Sequence, residues 1–242
     1  TEIKEIKVFS YDKKNFIPHN FEEFFSNSTN DEWNEYIFSE CIKFMNIIYS
    51  KHSDEISVNS IHRKTNYNKD ILRYLIKNIS QLIPSSLSKV SIVSSYLPII
   101  RLMKIQLLLF QPPYLLPPDI RIKNEIANEN LRNTINTQYM DNKNNFEIFL
   151  ASILKNQIPT IYLENFKSFK NKVLKKYPSK PRIIFTGVGY QANEMFKIWS
   201  AEKIKYGCKL YISQHGGNVG ISKWNQAEDH QIDVADKYIT WG

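Results

Sequence analysis

Cysteine is scarce in this sequence, which has only Cys41 and Cys208 among its 242 residues. Two cysteines so far apart cannot supply the disulfide framework of a small secreted domain or a four-thiolate zinc site, so we expect a reducing compartment. The first five residues, 1–5, include three charged side chains, and no apolar segment follows them, which is unlike a secretory signal.

A long apolar run is also missing. The most apolar stretch, residues 92–116, is interrupted by Arg101, Lys104 and three prolines, and a fourth proline, Pro117, follows it directly. A membrane-spanning helix needs about 20 mostly apolar residues in succession. The sequence therefore predicts a soluble, cytoplasmic protein.

The composition is that of a folded protein with a basic surface. Apolar residues make up 42% and charged residues 23% of the chain, which excludes a disordered tail or a low-complexity scaffold. The net charge of +8 favours anionic partners such as phospholipid headgroups, phosphorylated small molecules or nucleic acid. Only residues 167–176 form a dense basic helix face, which a solvated surface explains well, so we predict no nucleic-acid partner. We expect at most a weak, salt-sensitive attraction of this face to anionic lipid.

Residues 1–84 are predicted to form a helical region. Apolar side chains recur at three- and four-residue steps after Asp31, a suitable helix cap, and again within residues 65–82. Core packing explains both patterns.

Residues 85–242 are predicted to form an α/β domain. Residues 90–93 and 105–110 are short apolar runs typical of buried parallel strands. Helices are expected at 146–156 and 162–177, separated from residue 110 by a loop over 124–145. Strands at 182–185, 209–212 and 238–240 then alternate with helices at 193–206, ending at Gly207, and at 226–234.

This alternation predicts a Rossmann-like parallel sheet flanked by helices. The chain stops at Trp241-Gly242, directly after a strand, so we expect a second domain beyond this point.

The first candidate binding feature is the turn that contains Gly187 and Gly189. It lies between a strand and a helix, where backbone NH groups are able to bind an anion. It is not a dinucleotide-binding fingerprint, since the pattern lacks its third glycine, and a plain tight turn explains it as well.

The second candidate is the segment Gln214-His215-Gly216-Gly217. It follows a buried strand, which puts it at the carboxyl edge of the sheet, where open α/β folds bind ligands. Glycines allow a close approach of the backbone to a ligand. His215 is a candidate general base or a hydrogen-bond donor to a phosphate, or it is a histidine that only forms a hydrogen bond to the neighbouring loop.

Glu228 and His230 follow on the next predicted helix. With His215 they match no compact zinc motif, so no metal site is predicted. Glu228 is a candidate for binding substrate or for orienting His215. No serine-hydrolase elbow, Walker loop, kinase motif set or Cys-His pair occurs in the sequence.

Several segments together resemble a known bacterial family. They are residues 159–164, 193–202, 214–217, 228–230 and 235–242, which read Pro-Thr-Ile-Tyr-Leu-Glu in the first, His-Gly-Gly in the third and end on Trp-Gly. The chain resembles the surface-polysaccharide transferases first named from leptospires.

The resemblance implies a glycosyltransferase of the two-domain GT-B kind, of which this chain is the N-terminal, acceptor-side half. Such an enzyme adds a sugar from a nucleotide-activated donor to an O-antigen or capsule precursor, on a glycan or lipid-linked acceptor at the inner face of the cytoplasmic membrane. GT-B enzymes generally need no redox cofactor and no essential metal. The resemblance implies a catalytic or phosphate-contacting role for His215. The other predicted site residues, which bind substrate, are Gly187, Gly189, Tyr190, Asn193, Glu194, Gln214, Gly216, Gly217, Glu228 and His230.

Two alternatives remain open at the level of the sequence. The first is a non-catalytic carbohydrate- or nucleotide-binding module with the same fold. The second is a phosphosugar- or glycerophosphate-transferring enzyme, whose histidine also follows a strand and precedes glycine.

Overall fold

The structure is a computed structural model that describes residues 5–55, 84–115, 126–135, 144–217 and 219–240. The chain forms two compact units, each made of two stretches: Thr1–Lys64 with Lys123–Lys167, and Thr65–Ile122 with Ser168–Gly242. The division predicted at residue 84 stays a prediction.

The first unit combines helices with a pair of strands. Strands β1 (Lys7–Ser10) and β2 (Ser50–Glu55) pair in parallel, and the main helices are α1 (Phe21–Asn27) and α2 (Asp31–Phe44). The strand pair was not predicted in a region expected to be helical. The cap of α2 is Asn30, whose side chain accepts from the NH of Glu32, rather than Asp31 as predicted.

The rest of this unit is built from residues 126–167. Helices α4 (Glu129–Asn133) and α5 (Asn145–Gln157) precede a 3₁₀ turn, Thr160–Tyr162. Helix α4 lies within the predicted loop. A recess of about 500 Å³ in this unit has walls from α2, α5 and the residue after α2, namely Cys41, Phe44, Met45, Asn145, Phe146 and Phe149.

A buried ion pair ties α4 to the turn that follows α5. Arg132 and Glu164 are only 2% and 4% exposed, and they meet through two parallel hydrogen bonds, Nε to Oε1 at 2.8 Å and Nη2 to Oε2 at 2.9 Å. Nη1 also donates to the carbonyls of Lys155 and Ile158, and Oε1 accepts from the NH of Asn128. Every nitrogen of the guanidinium and both oxygens of the carboxylate thus have a hydrogen-bond partner, as burial demands.

The second unit contains the predicted parallel sheet. Its strands are β3 (Val90–Val93), β4 (Ile183–Thr186), β5 (Lys209–Ser213) and β6 (Lys237–Ile239), and they pair in this order, all parallel. This confirms the α/β, Rossmann-like arrangement. In β3, β4 and β5 every second side chain is buried, because successive residues of a strand point to opposite faces of the sheet.

Helices connect the strands of this sheet. They are α3 (Ile99–Leu108), α6 (Phe166–Lys176), α7 (Gly189–Ala192), α8 (Glu194–Lys205) and α9 (Gln226–Val234). Trp199 of α8 is fully buried against Tyr177, and its Nε1 donates to the carbonyl of Pro178 at 2.9 Å. Gly207 ends α8 with φ +89°, as predicted for a glycine after a helix.

One predicted strand is wrong. Residues 105–110 were expected to form a buried strand, but they complete α3 and the turn after it. The apolar run suggested burial on both faces, whereas most of its side chains are exposed. The helix predicted at 65–82 lies outside the described residues. Within the described ranges, no helix combines the length and apolar character needed to cross a membrane.

Candidate functional site at the carboxyl edge of the sheet

The loops that follow β3, β4 and β5 meet at one edge of the sheet. All four strands are parallel, so their carboxyl ends lie at this edge, the usual ligand position in open α/β sheets. The NH of Gly187 donates to the carbonyl of Ser94 at 3.2 Å, which joins the first two loops. The NH of Gln214 donates to the carbonyl of Ile239 at 2.7 Å, which joins the third loop to the end of β6.

Tyr96 packs closely over the turn after β4. Ser94 and Tyr96 have φ angles of +47° and +60°, a left-handed conformation that costs a non-glycine residue about 1–2 kcal/mol. A Cβ atom at Gly187 would lie 2.9 Å from the carbonyl oxygen of Ser94 and 3.2 Å from the Tyr96 ring. Glycine at this position therefore allows the strained loop and its tyrosine to contact the turn.

The NH groups of both glycines in this turn already have partners in the protein. Gly187 is bonded to Ser94, and the NH of Gly189 donates to Oγ1 of Thr186 at 2.8 Å. Helix α7, which Gly189 begins, is a single turn of four residues. These contacts account for both glycines as parts of a tight turn.

Two further predicted residues lie at the start of α8. The Asn193 side chain accepts from the NH of Phe196 at 2.9 Å and so caps the helix, and Glu194 lies in the first helical turn, where a negative charge is favourable. The observed contacts of Asn193 are those of a helix cap.

His215 lies against Tyr96 at the same edge. The two ring centroids are 6.0 Å apart, with the ring planes at 67°, an edge-to-face arrangement. Nδ1 of His215 is 2.9 Å from the carbonyl oxygen of Gly216. A carbonyl oxygen only accepts hydrogen bonds, so Nδ1 carries the proton and Nε2 of the neutral ring keeps the lone pair that is able to accept one.

The loop that carries His215 is held by two side chains. Nε2 of Gln214 donates to the carbonyl of Val219 at 3.1 Å, and Oε2 of Glu228 accepts from the NH of Gly220 at 2.8 Å. Gly217 and Gly220 have φ angles of +86° and +79°, which favour glycine. Among the described residues His215 forms no hydrogen bond to Glu228 or His230, so Glu228 positions the loop rather than the imidazole.

His230 and three tyrosines complete the edge. The ring of His230 lies 6.3 Å from that of Tyr190, which is buried. The pKa of Tyr190 is raised, chiefly because burial disfavours the phenolate, with smaller contributions from Tyr238 and Tyr96.

Tyr238 adds an unsatisfied polar group. Its hydroxyl oxygen is buried and has no hydrogen-bond partner in the part of the chain that the structure describes. Burial, and then the nearby Glu228 carboxylate, raise the pKa of this phenol. A buried hydroxyl without a partner is costly, and a bound ligand would relieve that cost.

Sequence reasoning missed Tyr96 and Tyr238. Tyr96 lies in the loop that follows a strand, a position that could have identified it, whereas Tyr238 lies within the short strand β6. No cluster of three or more His, Cys, Asp or Glu side chains suited to a metal ion occurs among the described residues.

The fold and this edge define the class: an α/β protein with a parallel sheet whose polar and aromatic side chains converge where such folds bind substrates. The chain belongs to the LIC12162 family of transferases, whose family model matches residues 2–242. No curated protein and no solved structure matches the chain significantly.

Proposed function

We propose that this chain is the acceptor-side half of a GT-B-like glycosyltransferase that builds bacterial surface polysaccharide. It takes a sugar from a nucleotide-activated donor and adds it to an O-antigen or capsule precursor. Membership of a transferase family supports group transfer. The observation that carries the sugar-transfer proposal is the contact of His215 Nδ1 with the Gly216 carbonyl oxygen, which leaves Nε2 as the nitrogen able to accept a proton beside Tyr96.

In the proposed step, Nε2 of His215 accepts the proton as the acceptor O–H bond breaks. The acceptor oxygen forms a bond to the anomeric carbon, and the bond from that carbon to the phosphate oxygen of the donor breaks. The nucleotide leaves with this electron pair. A positioned base of this kind contributes a rate factor of roughly 10²–10⁴.

The surroundings of His215 fit a sugar acceptor. Aromatic rings offer flat apolar faces, and the tyrosine hydroxyls offer hydrogen bonds at fixed positions, a combination typical of small-molecule sites. The buried hydroxyl of Tyr238 supports this assignment, because a sugar hydroxyl would satisfy it. Glu228 contributes indirectly, through the loop backbone at Gly220.

The acceptor is proposed to be lipid-linked and to carry a pyrophosphate. The net charge of +8 supports an encounter with such an anionic molecule at the cytoplasmic face of the membrane. The protein would then be cytoplasmic and peripheral to the membrane.

Two experiments on the full-length protein test the proposal. A thermal-shift screen with nucleotide sugars identifies the donor, and sugar transfer to lipid-linked acceptors is then measured for wild type, His215→Ala and the matched control Lys223→Ala. We expect His215→Ala to lose a factor of roughly 10²–10⁴ in turnover with an unchanged melting temperature. Lys223 is exposed at the surface beyond this loop, so its variant should retain wild-type turnover.

Near-wild-type turnover of His215→Ala would refute the catalytic role. A large drop in its melting temperature would instead assign His215 to the structure of its loop. Donor binding without transfer would favour a non-catalytic binding module, and transfer of a phosphosugar group would favour the other alternative.

A further inference from the structure

At the end of helix α3 and in the turn after it, two glutamines are buried while apolar side chains beside them are exposed. Gln106 and Gln111 are 1% and 5% exposed, whereas Leu108 is 77% and Phe110 fully exposed. Leu107 and Leu109 are exposed as well. Globular proteins normally show the reverse distribution, and a contiguous exposed apolar patch marks an interaction surface. We call residues 107–110 the apolar tip.

The two buried glutamines anchor the apolar tip. The Gln111 side chain accepts from the NH of Val90 at 2.9 Å and donates to its carbonyl at 2.7 Å, so it pairs with strand β3 as a neighbouring strand would. Oε1 of Gln106 accepts from the NH of Tyr114 at 2.7 Å. The tip is therefore presented by a segment fixed at both ends.

Local stability does not explain the residue at position 110. Phe110 has a φ of +55°, a left-handed conformation in which a bulky side chain is rare and unfavourable. Since its ring contacts solvent only, a phenylalanine here costs stability without adding to the core.

The surroundings of the apolar tip are basic. The sequence has no Asp or Glu between residues 84 and 118, and Arg101 and Lys104 are exposed on α3. The hydroxyl of Tyr114 donates to the carbonyl of Lys176 at 2.7 Å, so the segment after the tip contacts the end of α6, where Lys175 is also exposed. Cationic side chains thus flank the apolar ones.

We infer that the apolar tip inserts into the interface of an anionic lipid bilayer. Apolar side chains bordered by Lys and Arg, with no carboxylate among them, match the acyl boundary and the anionic headgroups of such a surface. A protein partner fits less well, because the exposed area of four side chains, on the order of 500 Å², is below the roughly 800 Å² per partner of a standard interface. The inference depends on the proposed function in one respect only, namely that the enzyme would meet its lipid-linked acceptor at the membrane.

The test is vesicle flotation of the full-length protein. Vesicles of phosphatidylglycerol with phosphatidylethanolamine are compared with pure phosphatidylcholine, at low and at high salt. We expect binding to the anionic vesicles, weakened by salt. The double variant Leu108→Ser/Phe110→Ser should bind at least about tenfold more weakly, because each side chain loses its burial in the acyl region.

The matched control is Phe25→Ser in α1, an exposed phenylalanine outside the second unit, and it should float like wild type. A Phe110→Trp variant supplies a direct readout, since brominated acyl chains should quench its fluorescence if the ring enters the bilayer. Both tip side chains are exposed, so the melting temperature should be unchanged in the double variant.

Three results would overturn the inference. The wild type could fail to float with the vesicles, or the double variant could float equally well. In the third result the wild type is a dimer that binds no vesicles and the double variant is a monomer. Sugar transfer to a water-soluble acceptor should be unaffected in the double variant. If the protein transfers no sugar but its flotation still depends on the apolar tip, the proposed function is refuted while the inference that the tip inserts into the bilayer is supported.

Discussion

The buried carboxylate of Glu164 is the group whose removal should destabilise the first unit most clearly. In Glu164→Gln the Arg132 guanidinium would remain 2% exposed with no counter-charge. Breaking a buried ion pair in this way costs about 3–5 kcal/mol, a large part of the 5–15 kcal/mol that stabilises an ordinary protein. For a chain of this length that corresponds to a drop of about 6–20 °C in melting temperature.

The pH dependence of this stabilisation follows from the pKa of Glu164. Burial alone would raise that pKa, but hydrogen bonds from Arg132 and from the NH of Asn128 outweigh it, so the folded-state pKa is below the ordinary value. A group with a lowered pKa stabilises the fold fully above its unfolded pKa of about 4.3, and this contribution is lost as the pH falls toward the folded pKa. The difference in unfolding free energy between wild type and Glu164→Gln should be constant from about pH 8 to pH 5 and should narrow below about pH 4.

Thermal and urea denaturation across this pH range measure the effect. The matched control is Glu202→Gln, which removes the partly exposed ion pair with Lys170 and should leave the melting temperature nearly unchanged. Glu164 belongs to a segment that carries the family resemblance, so it could have a structural or a catalytic role. Measuring both the stability and the turnover of Glu164→Gln distinguishes the two roles. Equal stability of wild type and Glu164→Gln, with a loss of turnover, would refute the structural argument.

Three further changes have definite expected outcomes. Gly187→Ala should lower the free energy of unfolding by about 1–3 kcal/mol, because the added Cβ has no room. Gly216→Ala should be tolerated, because a Cβ at Gly216 meets open space, and thermal melts of the two variants compare the effects. Phe110→Asn should melt at the same or a slightly higher temperature than wild type, since Asn tolerates positive φ, and a lower temperature would contradict the strain argument. Trp199→Phe should cost about 2–4 kcal/mol in chemical denaturation, because it opens a cavity and leaves the Pro178 carbonyl without its donor.

The sheet of the second unit was largely predictable from local sequence pattern. The strand Val90–Val93 has the bounds predicted from its short β-branched run, and the helix Gln226–Val234 has the bounds expected for it. The other strands of this sheet differ from the prediction by about one residue. Parallel central strands have short β-branched runs bounded by polar residues, so the pattern is strong wherever both faces are covered.

The strand pair of the first unit lacked such a pattern. Ser50–Glu55 is the segment Ser-Lys-His-Ser-Asp-Glu, which has no apolar alternation. It becomes a strand because it pairs with Lys7–Ser10, about 40 residues earlier in the chain. Long-range pairing of this kind overrides local propensity and is invisible to a periodicity argument.

The position of the candidate site in the fold was predictable from the sequence, but the residues that form it and their contacts were less so. The place of His215 at the carboxyl edge followed from the preceding strand. The contact with Tyr96 did not, because it depends on a loop in which two non-glycine residues take left-handed conformations. The role of Glu228 was likewise hidden, since its partner is a backbone NH rather than a side chain.

The incorrect prediction of a strand at residues 105–110 and the proposed membrane surface both follow from the same feature of α3, whose last apolar side chains face outward. Predicting a buried strand assumed that an apolar run faces the protein interior. In α3 the assumption fails, since Gln106 turns inward to bind Tyr114 and the leucines turn outward. Local patterns disagree with the fold mainly where function requires it, because a sequence selected only for stability would place leucine inside and glutamine outside. If so, the exchange Gln106→Leu should not stabilise the protein, as its buried side chain accepts a hydrogen bond that no leucine is able to replace. A Gln106→Leu variant with a higher melting temperature would show that the inverted pattern is an accident of packing, and the case for a lipid-facing tip would then rest on the vesicle measurements alone.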